Sequence, residues 1–236
     1  MNFTSLTDDL VRALAGLRFA EPITHVYNPL EYARSAWDEY TRRFGASPRE
    51  ILWLGMNPGP WGMAQTGVPF GEVALVRDWM GINTPVDKPR VEHPKRPIEG
   101  FSCARSEVSG RRLWGWAKNR FNKPEAFFKR FFVANYCPLV FMEASGRNFT
   151  PDKLPAREKE RLFEACDAAL EATIELLKPK LAFGVGGFAF ARLEAVCAGR
   201  DVKLGQLLHP SPANPKANKD WEGTIERQLA EAGVVL

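Results

Sequence analysis

The sequence predicts an α/β fold in which a mostly parallel sheet of four strands is covered by helices on both sides. Four short apolar runs are separated by segments whose apolar residues recur at helical spacing. Three of these runs end in a proline-rich loop or a polar residue, a pattern typical of α/β sheets that bind ligands where their strands end. The predicted strands are 51–54, 131–139, 181–185 and 202–208.

Helices are predicted before and between these strands. The first covers residues 5–16, where leucines recur at helical spacing and Ser5 with Asp8 suggests a capping pair. The second begins at Asn28, which is followed by a first-turn proline and an acidic residue, and ends at Gly45. The remaining predicted helices are 72–80, 106–121, 157–178, 188–196 and a C-terminal helix with Trp221, Ile225, Leu229 and Ala232 on its apolar face.

The composition is that of a globular chain with a sizeable core. Of 236 residues, 45% are hydrophobic and 25% are charged, which disfavours disorder. The net charge of +4 is compatible with a polyanionic partner but does not identify one. No apolar run approaches the length of a membrane span, and the N-terminus lacks the basic and apolar regions of a signal peptide. We therefore expect no membrane association.

The cysteines and the glycine-rich turns do not favour a bound metal or nucleotide. Cys103, Cys137, Cys166 and Cys197 include no C-x-x-C pair, and Cys166 is expected in the core. The turn at 184–187 lacks the spacing of dinucleotide-binding and P-loop motifs. We expect no cofactor, no metal, and reduced thiols in an intracellular compartment, near the nucleoid in a bacterium or in the nucleus of a eukaryote.

The most distinctive stretch is the loop at 55–71, which follows the first predicted strand and is too rich in glycine and proline for a helix or strand. The prolines at 58 and 60 hold the residues before them extended. An ordinary turn would account for Asn-Pro-Gly-Pro alone. Seventeen residues are long for a simple connection, and the loop presents Asn57 near the strand end and Phe70 near its far end.

The proline-rich segment 82–104 carries a cluster of basic residues, namely Lys88, Arg90, His93, Lys95 and Arg96. Two interpretations stay open. The segment is either a solvated loop, as charged runs commonly are, or a basic edge that follows a phosphate backbone.

Strand polarity predicts that three polar side chains meet at one rim of the sheet. Asn57, Asn135 and His209 lie at or near the carboxyl ends of different strands, and these ends share one edge of a parallel sheet. Asn135 is a polar exception in an apolar strand, which marks either a functional residue or an asparagine satisfied by nearby backbone. His209 is either structural or catalytic, and the prolines that follow it at the strand end favour a site.

Two amides, one imidazole and an aromatic ring provide neither a nucleophile nor the paired carboxylates of a sugar glycosidase. The reacting group must therefore ionise readily by itself, as a nucleobase does when it leaves deoxyribose as an anion. His209 could donate a hydrogen bond to that anion, and Asn57 could orient a water. Asn135 offers a donor and an acceptor to a base edge, and Phe70 can stack on the base.

Longer motifs in the same places resemble a known family. The stretches from Gly55 to Gly71 and from His209 to Lys219 are similar to the two signature motifs of the single-strand-selective monofunctional uracil-DNA glycosylases. Residues 135–139 and 105–110 are similar to that family as well, and the similarity covers the chain from about residue 22 onward. The resemblance implies the uracil-DNA glycosylase fold, a three-layer α/β/α arrangement with a central four-stranded parallel sheet.

The resemblance also implies a reaction and its residues. The enzyme would remove uracil, and oxidised 5-substituted uracils such as 5-hydroxymethyluracil, from DNA and leave an abasic site, without a cofactor. Asn57 would position the water and His209 would bind the uracil carbonyl. The implied base-binding residues are Met56, Gly59, Phe70 and Asn135, the first two near the 5-position of the base. The implied DNA-binding residues are Ser106, Ser109, Ser211, Asn214, Lys216 and Lys219.

The implied partner is single- or double-stranded DNA, bound by a monomer that forms one domain over residues 1–236. The base would be flipped out of the stack, which costs a few kcal/mol, while the helix after His209 wedges into the gap. Two positions depart from the family pattern. Ala213 stands where vertebrate members carry a basic wedge residue, for which Lys216 and Lys219 could partly substitute. Trp61 stands where phenylalanine is common, which we expect to be a packing change.

Other functions stay open at this point. A non-catalytic binder of damaged or single-stranded DNA could have the same pocket, although it would not need Asn57 and His209. A glycosylase of broader range would also remove deaminated purines such as xanthine and hypoxanthine, and the size of the pocket would decide this. A glycosylase-lyase would need an amine near the sugar, and neither signature loop puts a lysine beside Asn57 or His209.

Overall fold

The computed structural model describes residues 2–236, in which helices surround two β-sheets. The α-helices are α1 (Phe3–Ala15), α2 (Pro29–Tyr32), α3 (Arg34–Phe44), α4 (Met63–Thr66), α5 (Val108–Phe121), α6 (Pro124–Phe128), α7 (Ala156–Leu177), α8 (Gly187–Val196) and α9 (Pro215–Glu231). The strands are β1 (Ile23–Tyr27), β2 (Ile51–Gly55), β3 (Phe131–Asn135), β4 (Val140–Glu143), β5 (Asn148–Phe149), β6 (Leu181–Val185) and β7 (Lys203–Leu207). A π-helical turn covers Leu75–Trp79, and 3₁₀ turns cover Gly100–Ser102 and Pro151–Lys153.

The four predicted strands form one parallel sheet in the order β3-β2-β6-β7, with helices on both sides. The predicted three-layer α/β/α class is confirmed. β2 lies inside the sheet, and its first four residues, 51–54, are at most 1% exposed. This burial on both faces explains why the sequence shows an unbroken apolar run there. The carboxyl ends of all four strands point to the same edge of the sheet.

The strand predicted over 131–139 is too long. β3 ends at Asn135, and its pairing with the chain after β2 continues for only two further residues. Pro138 has no N–H with which to extend the ladder. The chain then enters β4, which lies between β1 and β5 in a separate antiparallel sheet that the sequence analysis did not predict.

α1 begins earlier than its predicted cap. Asn2 is the capping residue: its side chain accepts a hydrogen bond from the Ser5 N–H at 2.9 Å, and the Ser5 hydroxyl accepts one from the Asn2 N–H at 3.2 Å. Asp8, predicted as part of the cap, instead pairs with Arg34 of α3 at 2.7 Å. Asparagine is among the most favourable capping residues, so the helix starts there.

Two other helices also differ from the prediction. The helix expected from Asn28 to Gly45 is interrupted at Ala33, whose backbone (φ −107°, ψ 28°) separates α2 from α3. Asn28 caps α2 and Gly45 ends α3, so both predicted ends are correct. The helix predicted over 72–80 is largely a π-helical turn.

The long helices bury the faces that their sequences predicted. Cys166 of α7 is fully buried, and Trp221 and Ile225 of α9 are at most 4% exposed. The four cysteines are buried free thiols. Within residues 2–236, every helix is too short or too polar to cross a lipid bilayer.

Candidate active site

The loops that follow β2 and β3 run side by side at the carboxyl edge of the sheet. Gly55 and Asn135 are paired where the two strands end, and the next two backbone N–H groups of the β3 loop donate to the carbonyl oxygens of Gly55 and Met56, each at 2.9 Å. The Asn57 Nδ2 donates to the carbonyl oxygen of Leu139 at 3.1 Å. This bond turns the amide nitrogen of Asn57 into the protein and leaves its Oδ1 free to accept a hydrogen bond.

Phe70 returns from the far end of the same loop to lie against these strand ends. A Cβ atom on Gly55 would lie 2.6 Å from the Phe70 ring and would collide with the Asn135 Oδ1. The absence of a side chain at Gly55 therefore lets both groups reach the rim. Asn135 is held in turn by Met63, whose sulfur accepts a hydrogen bond from the Asn135 Nδ2 at 3.3 Å.

The backbone of Phe70 is strained and firmly held. Its φ of +53° lies in the left-handed region, which costs a bulky residue about 1–3 kcal/mol. The Trp114 Nε1 donates to the carbonyl oxygen of Pro69 at 3.1 Å, and the Glu72 N–H donates to that of Phe70 at 2.8 Å. Gly110 packs so closely on the Phe70 oxygen that a Cβ there would collide. Strain retained by several contacts is typical of functional positions.

His209 reaches the rim from the loop after β7. Its ring centroid lies 6.2 Å from that of Phe70. Gly186, at φ +93°, packs against it, and a Cβ there would lie 3.3 Å from the His209 Cβ. The Ser211 N–H donates to the His209 Nδ1 at 3.0 Å. Because Nδ1 accepts this bond, the neutral ring carries its proton on Nε2, which is therefore a hydrogen-bond donor.

Burial keeps this imidazole uncharged. Removal from water lowers the pKa of His209 to about 4, from about 6.5 in an unfolded chain. At neutral pH the ring is therefore a neutral donor of fixed tautomer. Such a donor can stabilise an oxygen on which negative charge develops.

An arginine that the sequence analysis missed braces the His209 loop. Arg112 of α5 donates from Nη1 to the carbonyl oxygen of Pro210 and from Nη2 to the Asn218 Oδ1, both at 2.9 Å. Asn218 in turn donates to the carbonyl oxygen of Pro212 at 2.9 Å. The loop is thus clamped from α5. No sequence signal identifies this role, because the partner of Arg112 is a backbone oxygen 98 residues away.

The residues predicted to contact DNA after His209 form the start of α9. The Asn214 side chain caps that helix by accepting from the Lys216 N–H at 3.1 Å, and the Ser211 hydroxyl accepts from the Ala213 N–H at 3.2 Å. Lys216, Lys219 and Ala213 are exposed. Asp220 has non-helical backbone angles (φ −159°, ψ 82°) and separates this first turn from the rest of α9.

The remaining predicted DNA-binding and base-binding residues differ in how exposed they are. Ser106 is exposed, whereas Ser109 is 7% exposed and its N–H donates to the Glu107 carboxylate at the start of α5. Little of Ser109 is therefore left to contact a ligand. Met56 is half-buried, and Gly59 has open space where a side chain would stand.

One cavity lies beside the α1–β1 region, and Leu139, whose carbonyl oxygen binds Asn57, is among the residues that line it. It has a volume of about 720 Å³ and is lined by side chains of the α1–β1 region and of the loop at 87–91, including His25, Lys88 and Arg90. At the rim, Asn135 and Met63 line a narrow cavity of about 40 Å³. Within residues 2–236, no group of three or more histidine, cysteine or acidic side chains is placed to hold a metal ion. The convergence of polar groups, rather than cavity volume, marks the rim as the candidate site.

Gly55→Ala is expected to lower kcat/KM about tenfold if the rim binds a base. The new methyl group would crowd Phe70 and Asn135, and overpacking of this kind costs about 1–3 kcal/mol. Steady-state kinetics on a uracil-containing oligonucleotide would measure the loss. Gly115→Ala, on α5, is the matched control, because a Cβ added there would meet open space, and it should leave kcat/KM unchanged. Equal kinetics for both variants would contradict the assigned site.

Comparisons with known proteins agree on one family. Residues 43–230 match the model of the Uracil DNA glycosylase superfamily. Over 224 residues, 94% of this chain, the sequence is 49% identical to the single-strand selective monofunctional uracil DNA glycosylases of Mus musculus and Bos taurus, covering 80% and 82% of those proteins. The crystal structure of wild-type SMUG2 from Pedobacter heparinus matches with a TM-score of 0.68 at 18% identity, over 97% of both chains, which shows a shared fold. This chain therefore belongs to the single-strand-selective monofunctional uracil-DNA glycosylase family within the uracil DNA glycosylase superfamily.

Proposed function

We propose that this chain is a DNA-repair hydrolase that cleaves the N-glycosidic bond of uracil in DNA and leaves an abasic site. The observation that carries the proposal is the neutral His209, a donor through Nε2 whose ring lies 6.2 Å from that of Phe70, beside the strand ends that carry Asn57 and Asn135. Two relatives named single-strand selective monofunctional uracil DNA glycosylases, each 49% identical to this chain, support it. The proposed catalytic unit is a single domain that acts as a monomer on DNA, near the nucleoid or in the nucleus.

In the proposed mechanism the extruded uracil stacks on Phe70 while its edge pairs with the Asn135 amide. The bond between the base nitrogen and the sugar carbon breaks, and its electrons leave with the base. Negative charge then builds on a uracil oxygen, where the His209 Nε2–H stabilises it. Asn57 has its Nδ2 bound to a backbone oxygen, so its Oδ1 accepts a hydrogen bond from the water that attacks the sugar carbon. The water proton passes to solvent.

Two finer points belong to the proposal. The open space over Gly59 supports acceptance of 5-substituted uracils such as 5-hydroxymethyluracil. Half-buried Met56 is the second residue proposed to contact the base near its 5-position. The loops that carry Asn57 and His209 place no lysine at the rim, which supports hydrolysis without lyase activity. Ser106, Ser211, Asn214, Lys216 and Lys219 are the proposed DNA contacts.

The test is release of base from oligonucleotides that contain uracil, 5-hydroxymethyluracil, hypoxanthine or xanthine, as single strands and as duplexes, with a chelator present. We expect uracil release that survives chelation. Excision of the purines at comparable rates would favour the broader-range glycosylase. Tight binding to every oligonucleotide without release would favour the non-catalytic binder and contradict the proposal.

Ala213→Arg is expected to raise the excision rate from duplex DNA roughly fivefold, equivalent to about 1 kcal/mol, with a much smaller effect on single strands. A longer side chain at the exposed tip before α9 would fill the gap left by a flipped base, and only stacked duplex opposes flipping. Single-turnover rates on matched uracil substrates would measure both effects. Ala213→Leu adds bulk without charge, so it separates the effect of filling the gap in the duplex from the effect of a positive charge near the DNA. Equal gains on both substrates would rule out the wedge explanation.

A further inference from the structure

Two arginine side chains lie over the ring of Trp61. The guanidinium carbon of Arg105 is 4.6 Å from the ring centroid and that of Arg96 is 5.2 Å from it. Trp61 is half-buried and belongs to neither hydrophobic core cluster. The expectation that tryptophan here is a packing change stays a prediction, and the contacts of its ring add a second feature. Its ring contacts two cations, of which Arg105 is exposed and Arg96 is half-buried, with the Arg96 Nη1 donating to the carbonyl oxygen of Lys95 at 2.8 Å.

The Arg96 end of this arrangement is fixed by the small antiparallel sheet. The hydroxyl of Tyr27 on β1 donates to the carbonyl oxygen of Arg96 at 2.9 Å and accepts from the His93 N–H. His93 is 1% exposed; its Nδ1 accepts from the Lys95 N–H at 3.0 Å, and its Nε2 lies 3.1 Å from the carbonyl oxygen of Glu143. His93 therefore fits neither interpretation left open for this segment, a solvated loop or a basic edge, because it is buried and anchors the turn that presents Arg96.

The Arg105 end is fixed by the start of α5. The backbone of the residue after Trp61 packs on that helix, since a Cβ on Gly62 would lie 3.1 Å from the Glu107 side chain. Glu107 caps α5 two residues after Arg105. Arg105 itself is exposed. Within residues 2–236, no carboxylate oxygen lies within 4.0 Å of a nitrogen of Arg96 or Arg105.

Two positively charged side chains that share one ring and have no carboxylate partner form a site that attracts an anion. We infer that Arg96, Trp61 and Arg105 form a strand-binding platform whose guanidinium groups bind backbone phosphates beside the extruded base. The inference rests on the proposed DNA substrate. Trp61 follows Asn57 by four residues, which span at most about 14 Å. A DNA strand rises about 3.4 Å per nucleotide, so the platform reaches phosphates within roughly four steps of the reacting sugar.

The test is the salt dependence of binding to a single-stranded oligonucleotide that carries a tetrahydrofuran abasic-site analogue, which has no base to release. Arg105→Gln is expected to weaken binding roughly fivefold and to reduce the slope of log K against log salt by about 0.7. The control is Arg120→Gln, which also removes one exposed charge but lies about 20 Å away at the other end of α5. Trp61→Phe should weaken binding in the same direction, because phenylalanine holds a cation less well.

Excision provides the second readout. With protein in excess and at saturation, Arg105→Gln should release uracil within about twofold of the wild-type rate, since the platform binds DNA and touches no reacting atom. Identical salt slopes for the variants at positions 105 and 120 would overturn the platform while leaving the glycosylase intact. Failure of the wild-type chain to release any base would instead overturn the proposed function, and the slopes would still report on the platform.

Discussion

Asn57→Ala is expected to lower the single-turnover rate of uracil release by ~10²-fold or more, with DNA binding nearly unchanged. The Asn57 Nδ2 is bound to the carbonyl oxygen of Leu139, which aims Oδ1 toward the rim. Alanine removes the only group proposed to orient the attacking water, but it removes no contact with the DNA backbone. Rapid-quench kinetics would give the rate, and fluorescence anisotropy with the same oligonucleotide would give the affinity.

Two further variants make this test specific. Asn57→Asp retains an acceptor oxygen but cannot donate to Leu139, so we expect a rate between those of wild type and alanine. Asn119→Ala, on the exposed surface of α5, is the matched control and should leave the rate unchanged. Turnover by Asn57→Ala equal to that of wild type would remove Asn57 from the mechanism. An equal loss in rate and affinity would assign it to binding instead.

The rim was predictable because each of its polar groups follows an apolar run in the sequence. Asn57, Asn135 and His209 lie at or near the ends of three parallel strands, whose carboxyl ends share one edge of the sheet. The proline-rich chemistry of the loops shows where each strand stops. Local sequence therefore defines both the sheet and the approximate position of the side chains above it.

The remaining features depend on long-range contacts that have no local pattern. β5 is two residues long and β1 has no clean alternation, so the antiparallel sheet left no periodic signal. The roles of Tyr27 and His93 follow from that sheet, and composition alone misplaced His93 on the surface. The tautomer of His209 likewise depends on one backbone N–H, that of Ser211, whose direction is set by the folded loop.

His209→Ala is expected to lower the single-turnover rate by about 10²–10³-fold, the typical cost of removing a donor to a developing oxyanion. His209→Gln should recover part of this loss, because its amide can place an N–H near the position of Nε2. His25→Gln, which changes a half-buried histidine beside the large cavity, is the matched control and should be silent. A rate for His209→Gln as low as that for His209→Ala would show that catalysis depends on the shape of the imidazole and not on its hydrogen-bond donation.

The pH dependence separates donation by a neutral ring from a structural role. Burial lowers the pKa of His209 to about 4, so the wild-type rate should stay level from pH 8 to about 5 and fall only toward pH 4. Protonation would add a hydrogen to Nδ1, where the Ser211 N–H already points, and would break that bond.

Between about pH 6.5 and 4 the unfolded chain binds a proton that the folded chain does not, so the free energy of unfolding should decrease as the pH falls. His209→Gln should lack both the fall in rate toward pH 4, measured by single-turnover kinetics, and the fall in the free energy of unfolding, measured by urea unfolding. A wild-type acid limb near pH 6.5, or one that persists in His209→Gln, would mean that this imidazole is not the buried neutral donor.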